Sequence, residues 1–207
     1  MTKIFTMSFL FDRPSNDAFE AYPIPFKEEN DFRIAHDQKL NKEHLPEGPV
    51  YMKVKLKDIY PCQLLKNPEG WFLISDLFYE TLLSVEKVEH FVWPAVLIDY
   101  YHTGRYFDKN HVLKSDVKFD DTFKFFGIHT RFECFDKENS EWTPSKFAPP
   151  GKISGVTKLV LKSQDGYFPP VFRVPEKPVL YITGEVKDML DKNDVRGVEF
   201  TEIEVSG

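Results

Sequence analysis

Between Val50 and Lys57 apolar and polar residues take turns: Val50, Met52, Val54 and Leu56 fall on one face, Tyr51, Lys53, Lys55 and Lys57 on the other. A period of two marks a strand with one side in a core and the other in water. Three lysines on the wet side predict a solvated sheet edge. Extended apolar runs predict further strands over 95–101, 122–135, 156–162, 171–174 and 198–205, and a buried first strand within 1–11. In the 198–205 run the apolar phase passes from Val198 and Phe200 to Ile203 and Val205, a slip of one position that predicts a bulge near Thr201. Helical character is clear in two segments only, 75–87 and 183–193. Each follows a short apolar run and opens on a hydroxyl residue, Ser75 or Thr183, able to accept a free backbone N–H at the N-cap. Asp76 and Glu185 then place negative charge where the helix dipole favours it. A helix over 34–44 is weaker in pattern, interrupted by Asn41 and flanked by His36 and His44.

The two helical segments match each other. Phe72, Leu73, Ile74, Ser75 and Leu82 correspond to Leu180, Tyr181, Ile182, Thr183 and Leu190 at a constant offset of 108, and both copies return to an extended run, 91–98 and 198–205. The repeated unit is strand, capped helix, strand, with the helix laying its apolar stripe on the sheet. Any two such units look alike over ten residues, so duplication and coincidence both remain open. The stretch 142–155, rich in Pro, Gly and Ser, is either a boundary between two halves or a surface loop within a single domain spanning 1–207. The expected fold is therefore α+β: a mixed, mostly antiparallel sheet with two short helices, arranged as two pseudo-repeated strand-helix-strand halves.

Composition narrows the class. The 207 residues include 20 Phe and are 42% hydrophobic, enough for a large core without disulfides or a structural metal. Cys62 and Cys134 are too few and too far apart for a disulfide framework or a zinc ligand set, and read as buried thiols in a reducing cytoplasm. No apolar run reaches the roughly 20 residues of a membrane-spanning helix. The apolar start runs into Asp12, Arg13 and Pro14 without a small-residue cleavage site, so no secretory signal is expected. A net charge of −6 argues against nucleic acid or an anionic membrane as a partner, and suits a basic protein.

Catalytic patterns are missing. There is no glycine-rich phosphate loop, no nucleophile elbow and no helical His pair for zinc, so no catalytic, cofactor-binding or metal-binding residue is assigned and no cofactor is expected. Three features remain. Asp99, Tyr100, Tyr101, His102, Arg105 and Tyr106 surround Gly104 at a strand end. Tyr and Arg combine contact area with a directed polar tip, which makes these six the candidate partner-binding residues. The competing reading is a strand end whose tyrosines pack on the core. His129, Arg131 and Glu133 share one face of the expected strand, as a polar site or as its solvated side. Phe119, Phe123, Phe125, Phe126, Phe132 and Phe135 line a ligand cavity or, more simply, a core. The alternative to a binding protein is a small-molecule module or enzyme with a pocket near Tyr100, His102 and Arg131.

The segment 158–204 carries a Phe-Arg pair before a strand (Phe172, Arg173), a Thr opening a short helix (Thr183) and a Gly-x-x-Phe turn into a final strand (Gly197 to Phe200). It resembles the ending of a bacterial immunity-protein family of polymorphic toxin systems, first catalogued as a domain of unknown function. The strand and helix in 71–83 are similar to that family's upstream elements, while the first 60 positions lie outside the resemblance. It implies a protein that binds and neutralises a cognate toxin domain without chemistry of its own, and it carries no binding residues across. Gly197 is expected to supply the positive φ that ends the helix, and Phe200 a core anchor.

Overall fold

The computed structural model describes residues 2–9, 21–24, 48–59, 62–65, 72–128, 131–145 and 153–206. Two sheets dominate. One runs in the order β2 (Tyr22–Pro23), β3 (Val50–Val54), β6 (Phe91–Asp99), β7 (Phe119–Gly127), β5 (Phe72–Ser75) and β4 (Leu64–Leu65). The other runs β10 (Val160–Lys162), β13 (Val198–Ser206), β1 (Ile4–Phe9), β12 (Lys177–Thr183) and β11 (Val171–Val174). Helices α2 (Asp76–Leu82) and α3 (Gly184–Lys192) follow β5 and β12, and a single turn, α1 (Leu56–Ile59), ends β3. The fold is sheet-rich α+β, with mixed sheets of mostly antiparallel strands. The expected helix over 34–44 lies outside the described residues.

The two sheets are wired alike. In the six-stranded sheet β4 is antiparallel to β5, β5 to β7 and β7 to β6, and β6 is parallel to β3. In the five-stranded sheet β11 is antiparallel to β12, β12 to β1 and β1 to β13, and β13 is parallel to β10. Each therefore holds a split strand-helix-strand unit, with one antiparallel strand inserted between its two parallel arms. In one sheet that insert is β7, the next strand along the chain. In the other it is β1, from the far end of the sequence. The offset of 108 extends to packing: Ile74, Phe78 and Leu82 match Ile182, Val186 and Leu190, and all six are completely buried in one central core shared by both sheets and both helices.

Two outer cores flank this central one among the described residues. Alternation along β3 sends Val50, Met52 and Val54 to one of them, with Leu73, Leu97, Phe123 and Phe125. The other lies on the far face of the five-stranded sheet and holds Ile4, Phe172, Tyr181 and Leu161. The six phenylalanines considered as a cavity lining are instead dispersed: Phe123 and Phe125 in one outer core, Phe126 in the centre, Phe132 and Phe135 on the second outer core, and Phe119 half exposed.

Four expectations are corrected. First, β13 contains no bulge, since its register with β1 runs unbroken from Val198 to Ile203. Val198 and Phe200 pack on the central core, Ile203 and Val205 on the outer one, so a regular strand changes phase by changing core. Second, the strand expected over 122–135 stops at Gly127. Residues 131–136 form a strap across the five-stranded sheet: the Phe132 N–H donates to Arg173 on edge strand β11, while Asp136 N–H and Lys162 N–H make bonds of 3.0 and 2.7 Å with Val160 and Cys134 at the opposite edge, β10. Third, β3 is not an edge, because β2 pairs on its outer side. Fourth, α3 ends with Asp194 in the left-handed region (φ 53), and Gly197 (φ 85) instead serves the turn into β13. A Cβ on Gly197 would stand 3.0 Å from Cys62 Cβ and 3.2 Å from the Leu64 carbonyl oxygen, so this glycine lets the second unit close on the first.

The two caps also differ. Ser75 Oγ accepts from Phe78 N–H at 3.2 Å, whereas Thr183, in nearly the same backbone conformation, makes no side-chain cap bond. The ends of the stretch 142–155 pair as a hairpin, β8 (Glu141–Pro144) with β9 (Ile153–Lys158); residues 146–152 lie outside the described residues.

Candidate functional site

Strand β6 ends at Asp99, and the chain turns away from the sheet beside the end of β3, where the Tyr100 N–H donates to the Val54 carbonyl at 2.6 Å. The His102 N–H then donates to the Asp99 carbonyl. Further along, Asp108 Oδ1 accepts from the N–H groups of Asn110 and Val112 at 2.8 and 2.9 Å, folding the loop tip into a tight turn that brings Leu113 back to Phe107. The Asp99 N–H, donating to the Lys118 carbonyl, closes the loop onto β7. Phe107 packs edge-on against Tyr51 of β3, with ring centroids 4.8 Å apart.

This loop carries all six candidate residues, and they do not behave alike. Tyr100 and Tyr101 are 44% and 58% exposed, so neither packs in the core. Their rings meet edge to face at 5.7 Å. Arg105 is exposed, whereas Tyr106 and His102 are half-buried with rings 5.5 Å apart. His102 Nε2 is buried without a hydrogen-bond partner, and a Cβ on Gly104 would come within 2.9 Å of it, so a larger residue at 104 would displace the imidazole. Asp99 is half-buried and its Oδ1 faces the Tyr101 N–H at 3.5 Å.

The parallel pairing of β3 with β6 adds two residues that no local pattern joins to the loop. Lys53 Nζ lies 4.4 Å above the Tyr100 ring and 5.9 Å from the Tyr106 ring, and Lys55 Nζ lies 6.0 Å from Tyr100. The result is a face in which ammonium groups rest on tyrosine rings, an attraction worth about 0.5–1 kcal/mol each when exposed.

The residues of the alternative pocket belong to different sheets: Tyr100 and His102 follow β6 in the six-stranded sheet, whereas Arg131 lies on the strap over the five-stranded one. Arg131 and Glu133 are exposed on the strap, where Arg131 bridges Arg173 on the edge of the other sheet, and His129 lies outside the described residues. Burial and the nearby Arg131 charge lower the pKa of the Arg173 guanidinium. The strap's inner thiol, Cys134, is pushed up to about 12 by burial and by Glu176, and burial likewise raises the Tyr181 hydroxyl. A groove of about 660 Å³ lies elsewhere, between the start of α3 (Glu185, Asp188, Met189), Tyr167 and Glu86.

A second polar cluster escaped the sequence because its members are spread over 76–124. Tyr79 and His90 Nε2 are hydrogen-bonded at 2.9 Å, and His90 Nδ1 lies 2.7 Å from the Val88 carbonyl. A carbonyl accepts only, so Nδ1 carries the proton and Nε2 accepts from the Tyr79 hydroxyl. Lys124 sits over the Tyr79 ring and pairs with Asp76. These contacts join α2 to β6 and β7, as a clamp.

Among the described residues no group of three or more His, Cys, Asp or Glu is placed to hold a metal ion, and no helix is long and apolar enough to cross a membrane. Compared with known proteins, the chain matches no family model and no curated protein.

Proposed function

We propose that this protein is a non-enzymatic immunity protein that binds and neutralises a cognate bacterial toxin domain in the cytoplasm. The observation that carries the reading is the face at the end of β6: Tyr100 and Tyr101 stand exposed on a loop pinned by backbone bonds to β3 and β7. Exposed tyrosines beside arginine on a rigid base are the anchors that protein interfaces favour, because little conformational freedom is lost when they bind. The resemblance of 158–204 to immunity proteins supports the same reading and supplies the class of partner. Its elements serve packing: Phe172 is completely buried, and Phe200 packs on the central core.

The test joins capture to rescue. Tagged protein is recovered from its own bacterium, its stoichiometric partner is identified by mass spectrometry, and the partner's toxic domain is expressed with and without this chain. Survival only on co-expression, lost with Tyr101→Ala in a chain that still folds, is the expected result. A partner whose expression is harmless, or whose toxicity this chain leaves unchanged, rejects the reading.

A further inference from the structure

The face described above sets Lys53, Lys55 and Arg105 against one half-buried carboxylate, Asp99, and so carries excess positive charge on a chain of net charge −6. Lys53, Lys55 and Arg105 have no carboxylate partner among the described residues, whereas Lys3, Lys124, Lys158 and Lys187 each pair with an acid. Tyrosine rings lie beside the Lys53 and Lys55 ammonium groups, and among the described residues no acid pairs with them.

We propose that this face docks an acidic segment of the partner protein, its carboxylates meeting Lys53, Lys55 and Arg105 and its apolar side chains resting on Tyr101. The proposal rests on the binding-protein reading and reverses the charge expected of its partner at this face. Charge complementarity selects the occupant: opposite potentials across an interface speed encounter and fix register. Single-stranded nucleic acid would also be drawn to lysines beside tyrosines, but it binds by laying bases on open ring faces. The Lys53 ammonium already covers the Tyr100 face at 4.4 Å.

The test needs no knowledge of the toxin. A fluorescein-labelled peptide of alternating Glu-Gly-Glu-Leu units and a labelled oligothymidylate are titrated with the full chain, read by anisotropy. The peptide should bind, and binding should weaken at least about tenfold from about 0.1 M to about 1 M salt, as screening shortens from about 10 Å to about 3 Å. Lys53→Glu with Lys55→Glu should abolish it; Lys53→Gln with Lys55→Gln should weaken it, and serves if the reversal does not fold. Lys3→Glu with Lys158→Glu, which changes charge by the same amount elsewhere, should leave most binding intact. No peptide binding at low salt, equal binding to the Lys53 and Lys55 variants, or tighter binding of the oligonucleotide overturns the proposal. Peptide binding with these responses, combined with failure of the toxicity rescue, removes the immunity reading and leaves this face standing.

Discussion

Asp136 shows how much one carboxylate can hold. Its oxygens accept from the backbone N–H groups of Glu138 and Asn139, the Asn139 amide and the Ser206 hydroxyl, which ties the end of the strap to the end of β13. Led by the Ser206 hydroxyl and the Asn139 amide, these bonds bring its pKa down from 3.8 to about 2. A carboxylate depressed in the folded state stabilises fully above its unfolded pKa and loses that contribution as pH falls through the folded one. Asp136→Asn should therefore lower the urea midpoint at pH 7, and the deficit should shrink between about pH 4 and pH 2. A deficit constant across that range would show that ionisation is not what the site uses. Cys134 tests the strap from its other side. With its thiol raised to about 12, the native protein should resist iodoacetamide there at pH 8, and the Cys134 peptide should become labelled only on unfolding, as peptide mass spectrometry would show.

At the scale of elements, the paired caps give a matched comparison. Ser75→Ala removes a hydroxyl that accepts from Phe78 N–H and should cost about 1 kcal/mol in denaturant unfolding. Thr183→Ala removes a hydroxyl that makes no cap bond and should cost clearly less, and equal losses would contradict this difference. These helices were legible because Ser75 and Thr183 introduce apolar stripes that repeat at helical spacing. Strand β3 was legible from its alternation, β11 from its apolar run. The strap was not, since Phe132 and Cys134 alternate with Arg131 and Glu133 as in any strand; only its hydrogen bonds, divided between two sheet edges, tell the two apart. The turn α1 is four residues long, too short to show a period. The candidate face was half legible. Its tyrosines and Arg105 announced themselves on the loop, but Lys53 and Lys55 join them only through parallel pairing with a strand about 45 positions away, which local pattern does not encode.

For the whole molecule, the shared wiring makes a claim about connectivity. If β1 stands where β7 stands in the other sheet, the chain should tolerate the order that repeat implies. Ile4 pairs with Ile203 in antiparallel register, so residues 3 and 204 are neighbours. A permuted chain joining residue 206 to residue 3 by a short flexible linker, and opened between the exposed Asn110 and His111, should fold with an unchanged circular dichroism spectrum and cooperative melting. A chain that remains unfolded, where the linear protein folds under the same conditions, would mean that β1 depends on its natural attachment.

The position of β1 also sets a timetable for synthesis. Ile4, Phe5 and Met7 are made long before one of the strands they dock against, β13, which lies nearly 200 residues downstream. At about 5–20 residues per second, a ribosome needs roughly 10–40 s to reach it. During that interval the β5–α2–β6–β7 unit can pair within itself, while an apolar strand waits with both edges unpaired. The nascent chain thus offers chaperones a target in residues 4–9, and release from them is timed by the emergence of β13.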